Sequence, residues 1–118
     1  MPYDIHAADG IRALLSDRSF VERKMMGGIV FMLNGNMCVT ASGRGGILVR
    51  VGPEAQKRVL EEPHVKAVTM AGRTMGGFVR VMPDGYRTAA GLRKWVKRGV
   101  DYVTTLPPKS AKPARRKR

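Results

Sequence analysis

Cysteine is almost missing from this 118-residue chain, and no long apolar run occurs in it. The single cysteine, Cys38, cannot form an internal disulfide, which is typical of proteins in a reducing compartment. A membrane-spanning helix needs about 20 consecutive, mostly apolar residues, and no segment approaches that length. The first residues also lack the features of a signal peptide, because Asp4, Asp9 and Asp17 lie there. We therefore expect a cytoplasmic protein with no membrane partner.

Histidine is nearly as scarce, which limits metal sites and catalytic sites. His6 and His64 are the two histidines of the chain, and neither stands at zinc-ligand spacing from another ligand. Cys38 lies between Met37 and Val39 in an apolar segment with no evident base, so we interpret it as a small buried side chain and not as a nucleophile. We expect no metal, no cofactor and no catalytic residue.

The glycine-rich segment at residues 43–46 could suggest a phosphate-binding loop. It lacks the Gly-Lys-Ser/Thr ending of such loops, and a predicted strand follows it where a helix is required. We therefore predict a hairpin turn at this position.

Acidic residues are few: the chain has 9 of them against 22 basic residues, which gives a net charge of +13. Without the basic residues that follow Pro108, 16 basic and 9 acidic residues leave a charge of +7. A basic body attracts polyanions such as nucleic acids. We predict that residues 109–118 form a disordered basic tail, which either assists such binding or is an ordinary solvated terminus.

The sequence also contains a clear pattern of strands, centred on a hairpin at residues 25–41. Asn34 and Gly35 tolerate the positive φ angles of a two-residue turn, and apolar residues flank them. Gly27-Gly28 leaves room for a bulge or for the close approach of another backbone. Strands that are near neighbours in sequence pair most simply as an antiparallel meander. The predicted strands are residues 20–26, 29–33, 37–41, 47–51, 65–70 and 75–82, with a turn at 71–74 between the last two.

Three helices are predicted around these strands. Asp4 caps the first helix, whose apolar residues recur at helical spacing as far as Leu15. Pro53 begins the second helix at the position where a missing N–H has no consequence, and Thr88 caps the third. Together the elements predict an α+β fold with two layers, in which an antiparallel sheet of five or six strands packs against helices.

The third helix separates apolar from basic residues. Its apolar face includes Trp95, which we place in the core and not at the surface as a platform for stacking bases. Its opposite face is basic, and Asp101 is the only acid expected near it. Such a face either contacts phosphate groups or is an ordinary solvated helix surface. The candidate residues for binding nucleic acid or another anion are Arg87, Arg93, Lys94, Lys97 and Arg98, with Arg115, Arg116, Lys117 and Arg118 in the tail.

Methionine is frequent, with 8 residues, whereas aromatic residues make up only 6% of the chain. Thioether groups bind soft copper when they cluster, but these methionines are scattered along the sequence. We therefore interpret methionine as a flexible filler of the core.

Several of these motifs occur together in one known family. The chain resembles the N-terminal domain family of TfoX/Sxy proteins from Tyr3 to Lys109. The segments that carry the resemblance are Arg23-Lys24-Met25-Met26-Gly27-Gly28, Asn34-Gly35-Asn36-Met37, Val49-Arg50-Val51-Gly52-Pro53-Glu54-Ala55, Gly72-Arg73-Thr74-Met75, Val81-Met82-Pro83-Asp84-Gly85, Trp95-Val96-Lys97-Arg98-Gly99 and Leu106-Pro107-Pro108-Lys109. The chain departs from the family pattern at Met26, where Phe is usual, at Thr74, where Pro is usual, and over residues 67–71.

The resemblance implies a small two-layer fold similar to secretion-chaperone-like domains. Such domains often pair, so a homodimer is implied by analogy. It also implies one TfoX N-terminal-like domain over residues 1–108 that stands alone, because the second domain of the family's competence regulators does not fit in this chain. The family offers no catalytic residues to transfer.

We therefore expect a non-enzymatic regulatory or binding module that acts through a protein partner, through nucleic acid, or through both. Because no known nucleic-acid-binding motif is present, we expect weak, sequence-nonspecific nucleic-acid binding through the basic last helix and tail. The alternative is a small-ligand-binding protein or an enzyme that acts on an anionic substrate. In that case Arg50 or Arg73 would grip the substrate in a pocket between sheet and helices, since a guanidinium fork matches carboxylate and phosphate.

Overall fold

The computed structural model of the chain describes residues 3–25 and 27–108. These residues form three α-helices, six strands and a short 3-10 helix, Pro83–Gly85. The α-helices are α1 (Ile5–Leu14), α2 (Pro53–Val59) and α3 (Ala89–Val103). The strands are β1 (Val21–Met25), β2 (Gly28–Leu33), β3 (Asn36–Ala41), β4 (Ile47–Arg50), β5 (Val65–Met70) and β6 (Arg73–Val81). The predicted α+β class is confirmed.

The six strands form one antiparallel sheet in the order β1-β2-β3-β4-β6-β5. Strands β1 to β4 follow one another as a meander, as predicted. The chain then continues through α2 to β5 at the edge of the sheet, and β6 returns between β4 and β5. The β5–β6 hairpin therefore extends the sheet beyond β4, at the edge opposite β1.

The turn between β2 and β3 has the predicted conformation. The φ angles of Asn34 and Gly35 are 53° and 80°, which suits the twist of the flanking strands. The close approach predicted at Gly27-Gly28 is also confirmed, since a Cβ on Gly28 would clash with the carbonyl oxygen of Ala41. Glycine is the residue that lets β2 and the end of β3 come this close.

The helices pack on one side of the sheet and bury the main core, which gives the two predicted layers. Trp95 of α3 is 1% exposed and Phe31 of β2 is fully buried. The indole Nε1 of Trp95 donates a hydrogen bond to the carbonyl oxygen of Gly85 at 3.1 Å. A buried and hydrogen-bonded indole is a core residue, as predicted, and it offers no surface for stacking bases.

Short-range signals determine where the helices begin. The side chain of Asp4 accepts a hydrogen bond from the amide of Ala7 at 3.0 Å, and that of Thr88 accepts one from the amide of Gly91 at 2.9 Å. Pro53 is the first residue of α2. These three predicted helix starts are confirmed.

The β5–β6 hairpin differs from the prediction. Its turn consists of Ala71 and Gly72 alone, with φ angles of 52° and 77°, so Met70 pairs directly with Arg73. The left-handed conformation of Ala71 is rare for alanine, which is why no local signal marks a two-residue turn here. The hairpin is therefore longer than predicted, and its tip lines a cleft on the side of the sheet away from the helices.

Candidate functional site

The sheet has one face that the helices cover and one open face, and its register shows which side chains share each. Directly opposed residues of an antiparallel ladder point to the same side. One row, next to the helices, consists of Glu22, Phe31, Val39, Val49, Val79 and Ala67. The adjacent row, on the open face, consists of Arg23, Val30, Thr40, Leu48, Arg80 and Lys66. The open face thus has an apolar centre with basic residues towards its edges.

The acidic residues of the described part of the chain all lie on one side of the sheet, whereas basic residues occur on both sides. Acidic residues occur in the helices, in the segments that flank them and in the helix-facing row. These residues are Asp4, Asp9, Asp17, Glu22, Glu54, Glu61, Glu62, Asp84 and Asp101. The open face instead carries Arg23, Lys66 and Arg80, and Arg44 lies in the adjoining β3–β4 turn. Arg50, at the end of β4, lies between Phe78 of the open face and Tyr102 of α3. None of these five cations forms an ion pair within residues 3–25 and 27–108.

A cleft of about 400 Å³ lies on the open face. Its floor includes Val30, Leu48 and Phe78, which are 2%, 6% and 8% exposed. Its walls include Met25 of β1 and Met70 of β5, which belong to opposite edges of the sheet. The sheet therefore curls around the cleft, and the β5–β6 hairpin forms one of its walls.

Among the residues that the structure describes, four methionines line this cleft: Met25, Met37, Met70 and Met75. No methionine belongs to the main core within the described part of the chain, so the interpretation of methionine as core filler is wrong for that core. It holds for a second, smaller buried cluster of Leu48, Val68 and Phe78, against which Met37 and Met75 pack. Valine, isoleucine and a few aromatic side chains fill the main core instead. The methionines are scattered in sequence, but they converge because the curled sheet brings its two edges together.

The polar part of the cleft lining lies where β3 ends. Arg80 Nη1 donates hydrogen bonds to Ser42 Oγ at 2.8 Å and to the carbonyl oxygen of Gly45 at 2.6 Å. Ser42 Oγ also accepts a hydrogen bond from the amide of Arg44 at 3.1 Å. Burial, followed by the positive charge of Arg44, lowers the pKa of Arg80. Because both acceptors of Arg80 are neutral, an anion bound here would meet two guanidinium groups and, among the described residues of the cleft lining, no competing carboxylate.

This polar segment is part of the β3–β4 turn, which the sequence predicts at residues 43–46. The turn is confirmed, with the amide of Gly45 donating to the carbonyl oxygen of Ser42 at 3.2 Å. The anion-binding potential of the segment comes from the arginine side chains, since no helix follows the glycines.

Arg98 does not belong to the freely exposed basic face of α3, contrary to the prediction. Its guanidinium carbon lies 4.5 Å from the centroid of the Trp95 ring, and its Nη1 lies 2.9 Å from Glu62 Oε2. The expectation that Asp101 is the only acid near this face is also wrong, because Glu62 reaches it from the segment after α2. The two partners are 36 positions apart, so only the packing of α2 beside α3 reveals the pair.

Two more of the candidate residues have acidic partners at the surface. Arg87 pairs with Asp84, and Lys97 Nζ lies 2.9 Å from Asp101 Oδ2. Exposed pairs of this kind contribute only about 0–1 kcal/mol. They leave the side chains free to move, but they lower the net positive charge that α3 presents.

Arg93 and Lys94 are exposed on α3, and neither forms an ion pair with any other described residue. Lys94 Nζ lies 5.2 Å from the centroid of the Trp95 ring. The remaining candidates, in the predicted disordered tail, lie outside the described residues: Arg115, Arg116, Lys117 and Arg118.

Arg50 and Arg73, which the alternative interpretation places in a pocket between sheet and helices, do not line the cleft. Arg50 Nη1 donates to the carbonyl oxygen of Met37 at 3.4 Å, and its guanidinium lies 5.4 Å from the centroid of the Phe78 ring. Arg73 is exposed at the start of β6. The cleft lies on the opposite side of the sheet from the predicted pocket.

The sequence interpretation missed Arg44 and Arg80 as site residues. A signal for Arg80 exists in the alternation Val79-Arg80-Val81, because period-2 alternation places the arginine on the face opposite two buried valines. No comparable signal marks Arg44, whose position depends on how the β3–β4 turn meets β6.

Cys38 is buried, as predicted. It is 1% exposed, and burial raises the pKa of its thiol to about 12. The thiol is therefore protonated near neutral pH, which makes it a poor nucleophile.

The described residues contain no group of three or more His, Cys, Asp and Glu side chains that could hold a metal ion. Among the helices formed by the same residues, none is both long enough and apolar enough to cross a membrane.

A family model matches most of the chain. The match is to the TfoX N-terminal domain and covers residues 14–103, from the end of α1 to the end of α3. The matched range includes the whole sheet, the cleft and both of its arginines. No curated protein and no solved structure matches the chain.

Proposed function

The chain belongs to the TfoX N-terminal domain family, and we propose that it is a non-enzymatic regulatory or binding module that binds the backbone of nucleic acid. The observation that carries the proposal is the one-sided distribution of acidic residues, since the open face, in the part of the chain that the structure describes, has cations and no carboxylate. Contacts from Lys and Arg to phosphate supply nearly all of the affinity in non-specific binding to nucleic acid.

Two surfaces offer such contacts. The first is the open face, with Arg23 and Lys66 exposed in its outer strands. The second is the surface predicted from sequence, formed by α3 and the tail. The open face is favoured because three of the five candidates in and just before α3 have acidic partners. Only Arg93 and Lys94 have no ion pair with a described residue.

The same surface favours binding with little dependence on sequence. Phe78, the aromatic residue in the floor of the cleft, is only 8% exposed, so it presents no free ring for stacking a base. Lysine and arginine contacts to phosphate position a nucleic acid without identifying its bases.

The proposal is tested by fluorescence anisotropy with a labelled DNA duplex over a series of salt concentrations. The variant Arg23→Glu/Lys66→Glu changes the charge of the open face. The matched control Lys57→Glu/Arg58→Glu makes the same change of charge in α2, on the helix side. We expect the open-face variant to bind more weakly and to lower the salt dependence by about 0.9 units for each lost phosphate contact.

Two further variants separate the surfaces. Arg93→Glu/Lys94→Glu tests α3, and a chain that ends at Pro108 tests the tail. Nucleic-acid binding is refuted if the wild-type chain shows no affinity even at low salt. Equal losses in the open-face variant and in its α2 control would show that net charge alone, and not this face, controls binding.

The alternative, a small-ligand-binding protein or an enzyme that acts on an anionic substrate, is supported by a different observation. The cleft combines an apolar lining with Arg44 and Arg80. These features support binding, and they do not by themselves imply a reaction.

Self-association through β1 is also proposed. This strand is an edge of the sheet, and its Val21 and Met25 are 55% and 41% exposed. In a two-fold antiparallel pairing centred on Arg23, Val21 would face Met25 of a second copy, and Glu22 would face Lys24. Arg23 would face Arg23 of the second copy. This keeps the association weak, because like charges directly opposite each other are unfavourable.

Analytical ultracentrifugation tests this pairing. We expect the apparent mass of the wild type to rise with protein concentration. The Val21→Lys variant should keep the mass of a monomer. Thr104→Lys, which adds the same charge just after α3, is the control. A monomer at every concentration would rule out the β1 pairing.

A further inference from the structure

We propose that the cleft on the open face binds a small amphipathic anion, an unbranched aliphatic chain that ends in a carboxylate or a phosphate. This inference rests on the small-ligand alternative proposed above, and it does not depend on nucleic-acid binding. It concerns the interior of the cleft, whereas the proposed nucleic-acid surface consists of the exposed cations of the outer strands.

The size and composition of the cleft suit a small molecule. Its volume of about 400 Å³ falls within the range of roughly 300–1,000 Å³ that is usual for ligand pockets. Such pockets are mostly apolar with a few polar groups that orient the ligand. The floor of Val30, Leu48 and Phe78 supplies the apolar part, and the arginines beside Ser42 supply the polar part.

The methionine walls favour an unbranched chain. Met25 and Met70 reach the cleft from opposite edges of the sheet, and Met37 and Met75 also line it. Methionine side chains are unbranched and have several rotatable bonds, so they adjust to a flexible chain better than a rigid wall does. Met25 is 41% exposed, and covering it with an aliphatic group would remove apolar surface from water.

The arginines favour an anionic head. Within the described residues, the side-chain hydrogen bonds of Arg80 come from Nη1 and end on two neutral oxygen atoms. Arg44 is exposed in the adjoining turn, and neither arginine has an ion pair within residues 3–25 and 27–108. A carboxylate or a phosphate group can accept hydrogen bonds from two guanidinium groups at once.

The same arginines argue against a metal ion in the cleft. Clustered thioether groups are suitable ligands for Cu(I). A cation placed among these methionines would, however, lie near two guanidinium groups with no carboxylate to balance them. The charge of the cleft therefore selects an anion.

Methyl NMR with 13C-labelled methionine gives a direct test on the full chain. Decanoate and decyl phosphate are the anionic probes, decanol is the neutral probe of similar chain length, and all are used below the concentrations at which they aggregate. We expect the methyl signals of the four cleft methionines to shift with either anionic probe. Met82, which does not line the cleft, serves as an internal control and should not shift.

Two comparisons identify the role of charge. Decanol should bind about tenfold more weakly than the better anionic probe, the loss expected when a charged hydrogen-bonding group is removed. Arg44→Ala should weaken binding of that probe by a similar factor, whereas Arg93→Ala, which removes an exposed arginine from α3, should leave it unchanged. Arg44 is exposed in a turn, so its substitution is compatible with folding.

A preference for decanoate identifies a fatty-acid-like ligand, and a preference for decyl phosphate identifies a phospholipid-like or phosphoester ligand; both support the proposal. Equal affinity for decanol would overturn it, because the cleft would then be a purely apolar site. Shifts that include Met82 to the same extent, the absence of any shift, or shifts caused by Cu(I) alone would overturn it as well. None of these outcomes bears on the DNA titrations, so the two proposals fail independently.

Discussion

The guanidinium of Arg98 lies over the indole of Trp95, with 4.5 Å between its central carbon and the ring centroid. The same guanidinium donates hydrogen bonds to both carboxylate oxygens of Glu62, at 3.1 and 2.9 Å. One side chain therefore connects the core, α3 and the segment after α2. An arginine that stacks and pairs in a half-buried position stabilises the fold, and little of its charge is available to a ligand.

We therefore predict that Arg98→Ala lowers the free energy of unfolding by about 1–2 kcal/mol, since it removes a cation–π contact and a partly buried ion pair. Arg98→Lys should lower the free energy of unfolding by a smaller amount, because lysine keeps the positive charge but lacks the planar guanidinium group. Urea unfolding followed by circular dichroism measures the change without relying on the emission of Trp95. Arg93→Ala is the matched control and should stay within about 0.5 kcal/mol of the wild type. Equal effects at both positions would contradict a structural role for Arg98.

Local chemistry makes much of this fold predictable from sequence. Asn34 and Gly35 can adopt positive φ angles that most residues avoid. Pro53 and Thr88 satisfy the geometry of a helix start through their own atoms. In each case the cause of the structure lies within a few residues of the signal, so no knowledge of the tertiary structure is needed.

The parts that sequence reasoning missed depend on distant contacts. Arg98 meets Glu62 only because α2 and α3 pack side by side, and the methionines meet only because the sheet curls. The two-residue turn at Ala71 uses a residue that does not usually adopt its conformation. The basic open face was detectable in principle from strand alternation, but its absence of acids becomes clear only when the register of all six strands is known.

Tyr86 connects the segment before α3 to the cap of α1, and its titration affects stability. Its hydroxyl donates to Asp4 Oδ2 at 3.2 Å, and burial, followed by the negative charge of Asp4 and this hydrogen bond, raises the pKa of Tyr86 from 10.0 to about 12. The unfolded chain therefore loses this proton at lower pH than the folded chain does. The stabilisation is fully present below pH 10 and is lost as the pH rises from 10 to 12.

We predict that the free energy of unfolding falls more steeply with pH in this window for the wild type than for Tyr86→Phe. Cys38 titrates over an overlapping range, but it is common to both proteins and cancels in the comparison. Urea unfolding at successive pH values gives the two slopes, and the ultraviolet absorbance of tyrosinate follows the ionisation. Parallel curves for the two proteins would show that the hydroxyl of Tyr86 does not carry the effect.

Cys38 gives a prediction about accessibility. Because it is 1% exposed and burial raises the pKa of its thiol to about 12, we expect very slow alkylation of the native protein near neutral pH. The rate should rise sharply over the urea range in which the chain unfolds, since labelling then requires no local opening. Mass spectrometry measures the fraction of alkylated Cys38 directly, because the chain has one cysteine. Fast labelling of the native protein would contradict the burial of this residue.

Two substitutions in the turn of the β5–β6 hairpin are expected to have opposite effects on the stability of the protein. Ala71 has a φ of 52° and Gly72 a φ of 77°, in a turn that resembles the one formed by Asn34 and Gly35. Ala71→Asn should stabilise the protein by about 0.5–1 kcal/mol, because asparagine tolerates the left-handed region better than alanine does. Gly72→Ala should destabilise it by about 1 kcal/mol, because it introduces a Cβ at a positive φ with no compensating contact. Urea unfolding of both variants measures the two changes, and a shift of both in the same direction would show that this turn does not have the described conformation.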